Sequence, residues 1–196
     1  MRKILLAIIP LILFVSCVGR KDSVIKKEKI NIYEVKDTFG ELKKSETPMM
    51  VIIRECNEIG NIIKVGFYEP GGKLMISETF TYNENGEVIK SSKQTGDYAF
   101  LSITEDIYCE EGRWFKEENG VKTLLGVDYK IAGYKYTDYI QEKVNGTHFF
   151  YEPNMGIEFI GTINKTDNSG RWITFTATTQ SVETPQIILE REFEIW

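Results

Sequence analysis

The chain has 196 residues, of which 42% are hydrophobic and 27% charged, a composition typical of globular proteins and unlike that of disordered or collagen-like chains. Its 24 basic and 29 acidic residues give a formal charge of −5. Nucleic-acid binding requires a clustered basic surface, so this acidic balance argues against a nucleic-acid partner. One domain is expected, and the length is sufficient to bury a sizeable core.

The N-terminus begins with Met1-Arg2-Lys3, and an apolar run follows from Ile4 to Val15. A cationic start and an apolar core of this length predict an export signal, because a membrane span needs about 20 apolar residues. The run ends in Leu13-Phe14-Val15-Ser16-Cys17, which resembles the lipobox of bacterial lipoproteins, although Phe14 replaces the leucine that is commonest at its position.

That resemblance implies that residues 1–16 are a signal peptide and that Cys17 is the lipid attachment site. Two or three acyl chains hold a protein on a membrane, whereas one chain binds reversibly. Loss of Arg2 and Lys3 with the signal leaves 22 basic against 29 acidic residues and changes the formal charge to −7. The expected location is the bacterial cell envelope, facing the periplasm or the cell surface. An ordinary secretory signal with an incidental cysteine, or an uncleaved anchor, remains the alternative.

Residues 17–47 are rich in Lys, Glu and Asp, which predicts a lipidated cysteine followed by a charged tether. Ile30, Ile32 and Val35 could form a first strand within it. The run from Lys26 to Lys29 either contacts anionic lipid or is simply solvated.

From residue 48 to residue 196 apolar and polar residues alternate in short runs separated by turn residues. This pattern predicts a mainly β domain, folded as an antiparallel meander, a sandwich or a small barrel. Tight hairpins are predicted at Asn85-Gly86, Asn119-Gly120 and Asn145-Gly146.

The segment from Cys56 to Lys64 aligns without gaps with the segment from Tyr82 to Lys90, 26 positions later. Residues 56–90 resemble the YD-type and MORN-type hairpin repeats of bacterial surface proteins, which combine an aromatic residue, polar residues and a glycine turn. The resemblance implies a meander of hairpins and no activity. Two unrelated hairpins with similar turns would give the same pattern.

Aromatic residues are concentrated in the middle of the domain, where they either line a contact face or pack in the core. The residues predicted to form this face are Tyr129, Tyr134, Tyr136 and Tyr139, with Phe149, Phe150 and Tyr151 beside them. The single histidine, His148, alternates with aromatic neighbours and is interpreted as structural or exposed rather than catalytic.

Cys56 and Cys109 either form a disulfide, as an exported protein allows, or remain buried thiols. No His pair or Cys-x-x-Cys motif predicts a metal site, and no cofactor is expected. Residues 166–170 are interpreted as a turn rather than a calcium loop. Acidic residues cluster near Cys109 and alternate along the last predicted strand: Glu105, Asp106, Glu110, Glu111, Glu190, Glu192 and Glu194.

Paired carboxylates facing across a cleft would serve a glycosidase, but alternating acids on a strand more often form its solvent face. The sequence therefore predicts a non-catalytic binding or interaction module, attached to a membrane by its N-terminal lipid, for an envelope protein, a glycan or an amphipathic ligand. The alternatives are an envelope hydrolase that uses paired carboxylates and a purely structural envelope lipoprotein.

Overall fold

The computed structural model describes residues 24–96, 104–127, 140–142, 147–152, 157–178 and 186–196. Within these ranges the chain is built from strands, and none of it forms a helix with the length and hydropathy of a membrane span. The first nine strands are β1 (Ile25–Thr38), β2 (Glu41–Lys44), β3 (Met50–Cys56), β4 (Ile62–Tyr68), β5 (Leu74–Tyr82), β6 (Val88–Thr95), β7 (Thr104–Glu110), β8 (Arg113–Glu118) and β9 (Val121–Gly126). The remaining five are β10 (Ile140–Glu142), β11 (His148–Glu152), β12 (Ile157–Thr166), β13 (Trp172–Thr178) and β14 (Ile187–Ile195).

The strands form one antiparallel sheet whose order is β10-β11-β12-β13-β14-β1-β3-β4-β5-β6-β7-β8-β9, with β2 paired to β1. The mainly β class and the antiparallel meander are thus confirmed. Each half of the sheet is a meander in chain order. The first and last strands of the domain, β1 and β14, pair with each other at the centre and join the two meanders.

Strands β1 and β2 lie within residues 17–47, for which the sequence predicts a charged tether with a possible first strand. Ile30 and Ile32 are fully buried and pair with Ile52 and Met50 of β3 on one side and with Arg191 and Leu189 of β14 on the other. The dense charges of this segment lie largely on the opposite, outer face of the strand, because side chains alternate along it.

The hydrophobic core lies on one face of the sheet. Ile52 pairs with Phe67 of β4, and Leu189 pairs with Phe175 of β13, so buried side chains lie next to each other across the central strands. Phe150 of β11 packs against Phe175 and Trp172 of β13, with ring centroids 6.4 and 6.1 Å apart. The outer face carries the acidic residues of β14, where Glu192 and Glu194 are exposed, as the alternation predicted.

The predicted repeat corresponds to a hairpin loop of five residues that occurs four times in the described chain. In each loop the first N–H donates to the fifth C=O and the fourth N–H donates to the first C=O, at 2.8 to 3.1 Å. The fourth position is always a glycine with φ between 76° and 85°, and the strand pairing slips by one residue at the loop. The loops are residues 57–61, 69–73, 83–87 and 167–171.

In three of these loops the first side chain also accepts hydrogen bonds from the loop backbone. Oδ1 of Asn57, Asn83 or Asp167 accepts two N–H groups, at 2.8 to 3.2 Å. The interpretation of residues 166–170 as a turn is therefore confirmed. Asn85-Gly86 belongs to one of these longer loops rather than to a tight hairpin, Asn119-Gly120 forms the predicted two-residue turn, and Asn145-Gly146 lies outside the described residues.

The end of the sheet at which β1 begins is called the base here. It carries Val24, the loops 57–61, 83–87 and 167–171, and Trp196, because strands β3, β5, β12 and β14 all end there. Trp196 donates its N–H to the C=O of Val24 at 3.0 Å. Loop 57–61 lies beside Val24, since a Cβ on Gly60 would be 3.8 Å from Cγ1 of that residue.

Just inside the base, the core contains a charged cluster on β1, β3 and β14. Glu28, Arg54 and Arg191 are all at least 98% buried. The two oxygens of Glu28 accept hydrogen bonds from Arg191 Nε at 2.5 Å and from Arg54 Nη1 at 2.7 Å. Arg191 Nη1 also donates to the C=O of Trp172 at 3.2 Å, and burial lowers the pKa of this arginine while Glu28 opposes the change. Hydrogen-bonded pairing of this kind is what makes buried charges tolerable.

Candidate interaction site

The upper part of β1 and the whole of β2 form a hairpin that we call the arm, residues 35–44. Its β2 strand pairs with β1 and is not part of the main strand path. Above Ile32, where β3 pairing ends, β1 continues for six residues to Thr38, which is about 20 Å of extended chain. Residues 36–44 are all exposed, so the arm projects from the end of the sheet opposite the base.

The tip of the arm is the two-residue turn Phe39-Gly40. Phe39 has φ 57° and Gly40 has φ 86°, the left-handed values of a type I′ turn, and Thr38 pairs with Glu41 across it. Oδ1 of Asp37 accepts the N–H of Gly40 at 2.7 Å. The Phe39 side chain has a relative exposure of 105%, so its ring contacts no other part of the protein to any significant extent.

Two other turns in the sheet have the same backbone and serve as an internal reference. In Glu111-Gly112 and Asn119-Gly120 the first residue has φ 50° and the second 73° or 79°. The favoured residue at the first position is Asn, because its short polar side chain tolerates the left-handed region. Phe39 and Glu111 both occupy a position that favours Asn, but of the three residues only Phe39 adds a fully hydrated aromatic ring, which does not stabilise the fold.

The lysines of the arm contact carboxylates, and Asp37 accepts the N–H of Gly40. Lys36 contacts Glu34 at 3.3 Å and Lys43 contacts Glu41 at 2.7 Å. Leu42, with 48% exposure, is the second apolar side chain that the arm exposes near its tip. The arm therefore presents an apolar tip on a stem whose charges are largely balanced.

Lys44 fixes the foot of the arm to the sheet. Its Nζ lies 2.5 Å from Oε1 of Glu190 and 4.1 Å from the ring centroid of Tyr33. Burial and the neighbouring Glu190 carboxylate raise the pKa of Tyr33, while Lys44 opposes them. These contacts hold the stem where β1 leaves the sheet.

The lipid attachment site and the contact face predicted from the sequence lie outside the described residues. These are Cys17 and the four tyrosines Tyr129, Tyr134, Tyr136 and Tyr139. Of the neighbouring aromatic residues, Phe150 is fully buried in the core, so at this position the packing alternative is correct. His148 lies on β11, partly buried, and its Nδ1 has no hydrogen-bond partner among the described residues.

Cys56 and Cys109 are free thiols in the structure, which contradicts the disulfide alternative. They lie on β3 and β7, with three strands between them. Four spacings of about 4.8 Å separate these strands by roughly 19 Å along the sheet, whereas a disulfide needs Cα atoms within about 7 Å. Burial raises the pKa of the Cys56 thiol to about 11, and the Glu28 carboxylate adds to this effect while Arg54 opposes it.

The acidic cluster near Cys109 is neutralised by lysines instead of converging on a cleft. Glu105 lies 2.6 Å from Lys116, Asp106 lies 2.9 Å from Lys90, and Glu110 lies 2.6 Å from Lys122. Burial raises the pKa of Asp106, but hydrogen bonds from Ser92 and Lys90 lower it and hold it below its ordinary value. Such carboxylates are charged acceptors in cross-strand pairs.

Among the residues that the structure describes, no group of three or more metal-ligating side chains comes together. A comparison of the chain with protein-family models, with curated proteins and with solved structures finds no match. The arm is the feature of the described sheet that departs furthest from what folding alone favours, and we take it as the candidate site.

Proposed function

We propose that the protein is a bacterial envelope lipoprotein, anchored through Cys17, whose β domain is a non-catalytic module that binds another protein through the tip of the arm. The observation that supports this proposal most directly is Phe39, whose aromatic ring is fully exposed in a left-handed turn position. Residues held in sparsely populated backbone regions cluster at functional sites, which is the reason for assigning this turn a binding role.

A protein partner fits the chemistry of the tip best. Phe39 and Leu42 supply two exposed apolar side chains at the tip. Buried aromatic anchors contribute most of the binding energy in protein interfaces, and an isolated ring on a narrow hairpin is suited to an apolar pocket. The arm also leaves the sheet at the end opposite Val24, so it extends away from the N-terminal anchor.

The arm can be tested with two substitutions that make the same change in equivalent turns. Phe39→Asn installs the favoured turn residue at the tip, and Glu111→Asn installs it in the β7–β8 turn at the base. We expect a photo-crosslinker at position 39 in living cells to capture a discrete envelope protein. That protein should copurify with the wild type and with Glu111→Asn, and be lost with Phe39→Asn. Equal recovery with all three proteins would reject the arm as the binding site.

The anchor is tested separately. Cys17→Ser should abolish incorporation of labelled fatty acid and move the protein from the membrane to the soluble fraction. Equal membrane association of wild type and variant would contradict the proposed attachment, without bearing on the arm.

A further inference from the structure

The base of the sheet carries a second exposed apolar group that the fold does not use. Ile59 at the third position of loop 57–61 has 75% exposure, and Ile195 and Trp196 at the end of β14 have 49% and 54%. The backbone N–H of Trp196 donates to the C=O of Val24, and Gly60 of loop 57–61 lies against the same residue, so the two segments that carry these side chains meet where the chain enters the sheet.

The repeated loops again identify the residue that is out of place. The third position of the other three loops is occupied by Gly71, Asn85 and Ser169. Loops 83–87 and 167–171 provide the comparison, because Gly71 differs from Ile59 in having a positive φ of 97°, and in both of these loops a polar residue satisfies this position. Ile59 adds exposed apolar surface that the turn does not require.

The short segment between Cys17 and the first strand determines how far the base can lie from the proposed lipid anchor. The proposed function places a lipid on Cys17, and only residues 18–23 separate that cysteine from Val24. Seven residue steps span at most about 25 Å, even when fully extended. The base is therefore held within reach of the bilayer, while the arm projects from the opposite end.

The side chains match the interfacial layer of a membrane. Trp is enriched where headgroups meet acyl chains, and Lys26 Nζ lies 5.0 Å above the Trp196 ring. Exposed carboxylates at the same end, on Glu58, Glu84 and Glu194, oppose attraction to anionic lipid. Contact must then come from the apolar side chains and be strongest on zwitterionic lipid.

We propose that Ile59, Ile195 and Trp196 form a membrane-contact rim that rests on the bilayer surface beside the lipid anchor. The inference depends on the proposed acylation of Cys17. It adds an orientation: the base faces the lipid, and Phe39 faces away from it.

Tryptophan quenching by brominated lipid tests this orientation. The full-length protein purified from membranes is reconstituted into phosphatidylcholine vesicles with brominated acyl chains. Trp114 and Trp172 are buried, so Trp196 is the exposed indole of the described residues. We expect the vesicles to quench the Trp196 component of the emission and Trp196→Phe to remove that quenching. Ile59→Asn, which copies the residue at Asn85, should weaken it, and so should replacing part of the phosphatidylcholine with phosphatidylglycerol.

A protein with its exposed tryptophan at the tip of the arm instead of at the base provides the matched control. In the Trp196→Phe protein, Phe39→Trp places an indole at the tip of the arm, where no quenching is expected. Mass spectrometry of Cys17 in the same material reports the anchor independently. If Cys17 is acylated but Trp196 is not quenched, the rim is wrong and the anchor stands. The same conclusion follows if an indole at position 39 is quenched as strongly as Trp196. Unmodified Cys17 would overturn both the anchor and the rim.

Discussion

The base and the arm are both made of hairpin turns, but they are stabilised very differently. At the base, the first side chains of three loops bind the loop backbone, and the cluster of Glu28, Arg54 and Arg191 is buried directly behind them. The arm is held by its pairing with β1 and by the contacts of Lys44, and its residues 36–44 are exposed. One end of the sheet is thus integrated with the core, and the other is an extension of one strand.

The difference shows how repeated turns within one sheet supply an internal reference. Three turns share the type I′ backbone and four loops share a hydrogen-bonding pattern, so residues at equivalent positions can be compared with each other. Phe39 departs from the first set and Ile59 from the second. Both departures expose apolar surface, which is the reason for assigning each a binding role.

The largest expected effect comes from breaking the charged cluster behind the base. Glu28→Gln keeps the shape of the side chain but leaves the guanidinium groups of Arg54 and Arg191 beside a neutral amide. We expect a loss of about 3–5 kcal/mol in the free energy of unfolding. Urea denaturation measures it.

Glu192→Gln is the control for that substitution, because Glu192 is exposed on the outer face of β14 and opposes Lys29. Its cost should be below about 1 kcal/mol. If Glu28→Gln itself does not fold, the joint replacement of Glu28, Arg54 and Arg191 by Met or Leu should restore a folded domain, since apolar residues of similar volume substitute well for buried ion clusters. A similar midpoint for the two glutamine variants would contradict the importance of the cluster.

Glycine substitutions test whether the base is coupled to the core more strongly than the arm. Gly86 and Gly40 have φ 76° and 86°, so alanine is strained at both positions by about 1–2 kcal/mol. Gly86→Ala should lower global stability by that amount. Gly40→Ala should lower it less, because the arm can fray while β1 keeps its pairing with β3 and β14. Equal shifts in the urea midpoint would show that the arm unfolds only with the whole sheet.

Much of this sheet could be predicted from alternation and turn residues. Val65 and Phe67 are buried as the period of two indicates, and Asn119-Gly120 makes the predicted turn. Ile63 is partly exposed because the strand pairing slips at loop 57–61, and a slip of one residue moves a side chain off the core face. The sequence repeat does not include the fourth loop, at Asp167, because Asp replaces Asn and Trp172 replaces the aliphatic residue.

The central strand and the candidate site were harder to predict for a physical reason. Glu28 and Arg191 occupy core positions, and a charged residue interrupts the apolar pattern by which a strand is recognised. Their pairing joins residues 163 positions apart, which local patterns do not report. Phe39-Gly40 was missed since Phe is not a turn residue, although the spacing of Asp37 and Gly40 was the available signal.

A smaller effect of opposite sign is expected at the tip of the arm. Phe39→Asn removes a disfavoured left-handed aromatic residue and should raise stability by up to about 1 kcal/mol. Thermal unfolding of the purified domain measures it, and Glu111→Asn at the base should give a gain of the same sign. A variant that is more stable and no longer binds its partner would show that the sequence keeps Phe39 for binding. A destabilised Phe39→Asn protein would instead assign the ring a role in the fold.

The smallest effect concerns the carboxylate of Asp167 in loop 167–171. Burial raises the pKa of Asp167. Hydrogen bonds from the backbone and side chain of Arg171 and from the N–H of Ser169 lower it, and together they hold this pKa below its ordinary value. A depressed folded pKa gives stability that is complete above the unfolded pKa of about 3.9 and is lost as the pH falls through the folded value. Asp167→Asn keeps the loop acceptor, as Asn57 and Asn83 do, and removes the charge. We expect a cost of a few tenths of a kcal/mol at pH 7 that shrinks as the pH falls below about 3.9 and through the lower folded pKa, since a single partly exposed ion pair with Arg171 contributes little. A cost that is independent of pH would mean that loop shape, and not charge, distinguishes Asp167 from the two asparagines.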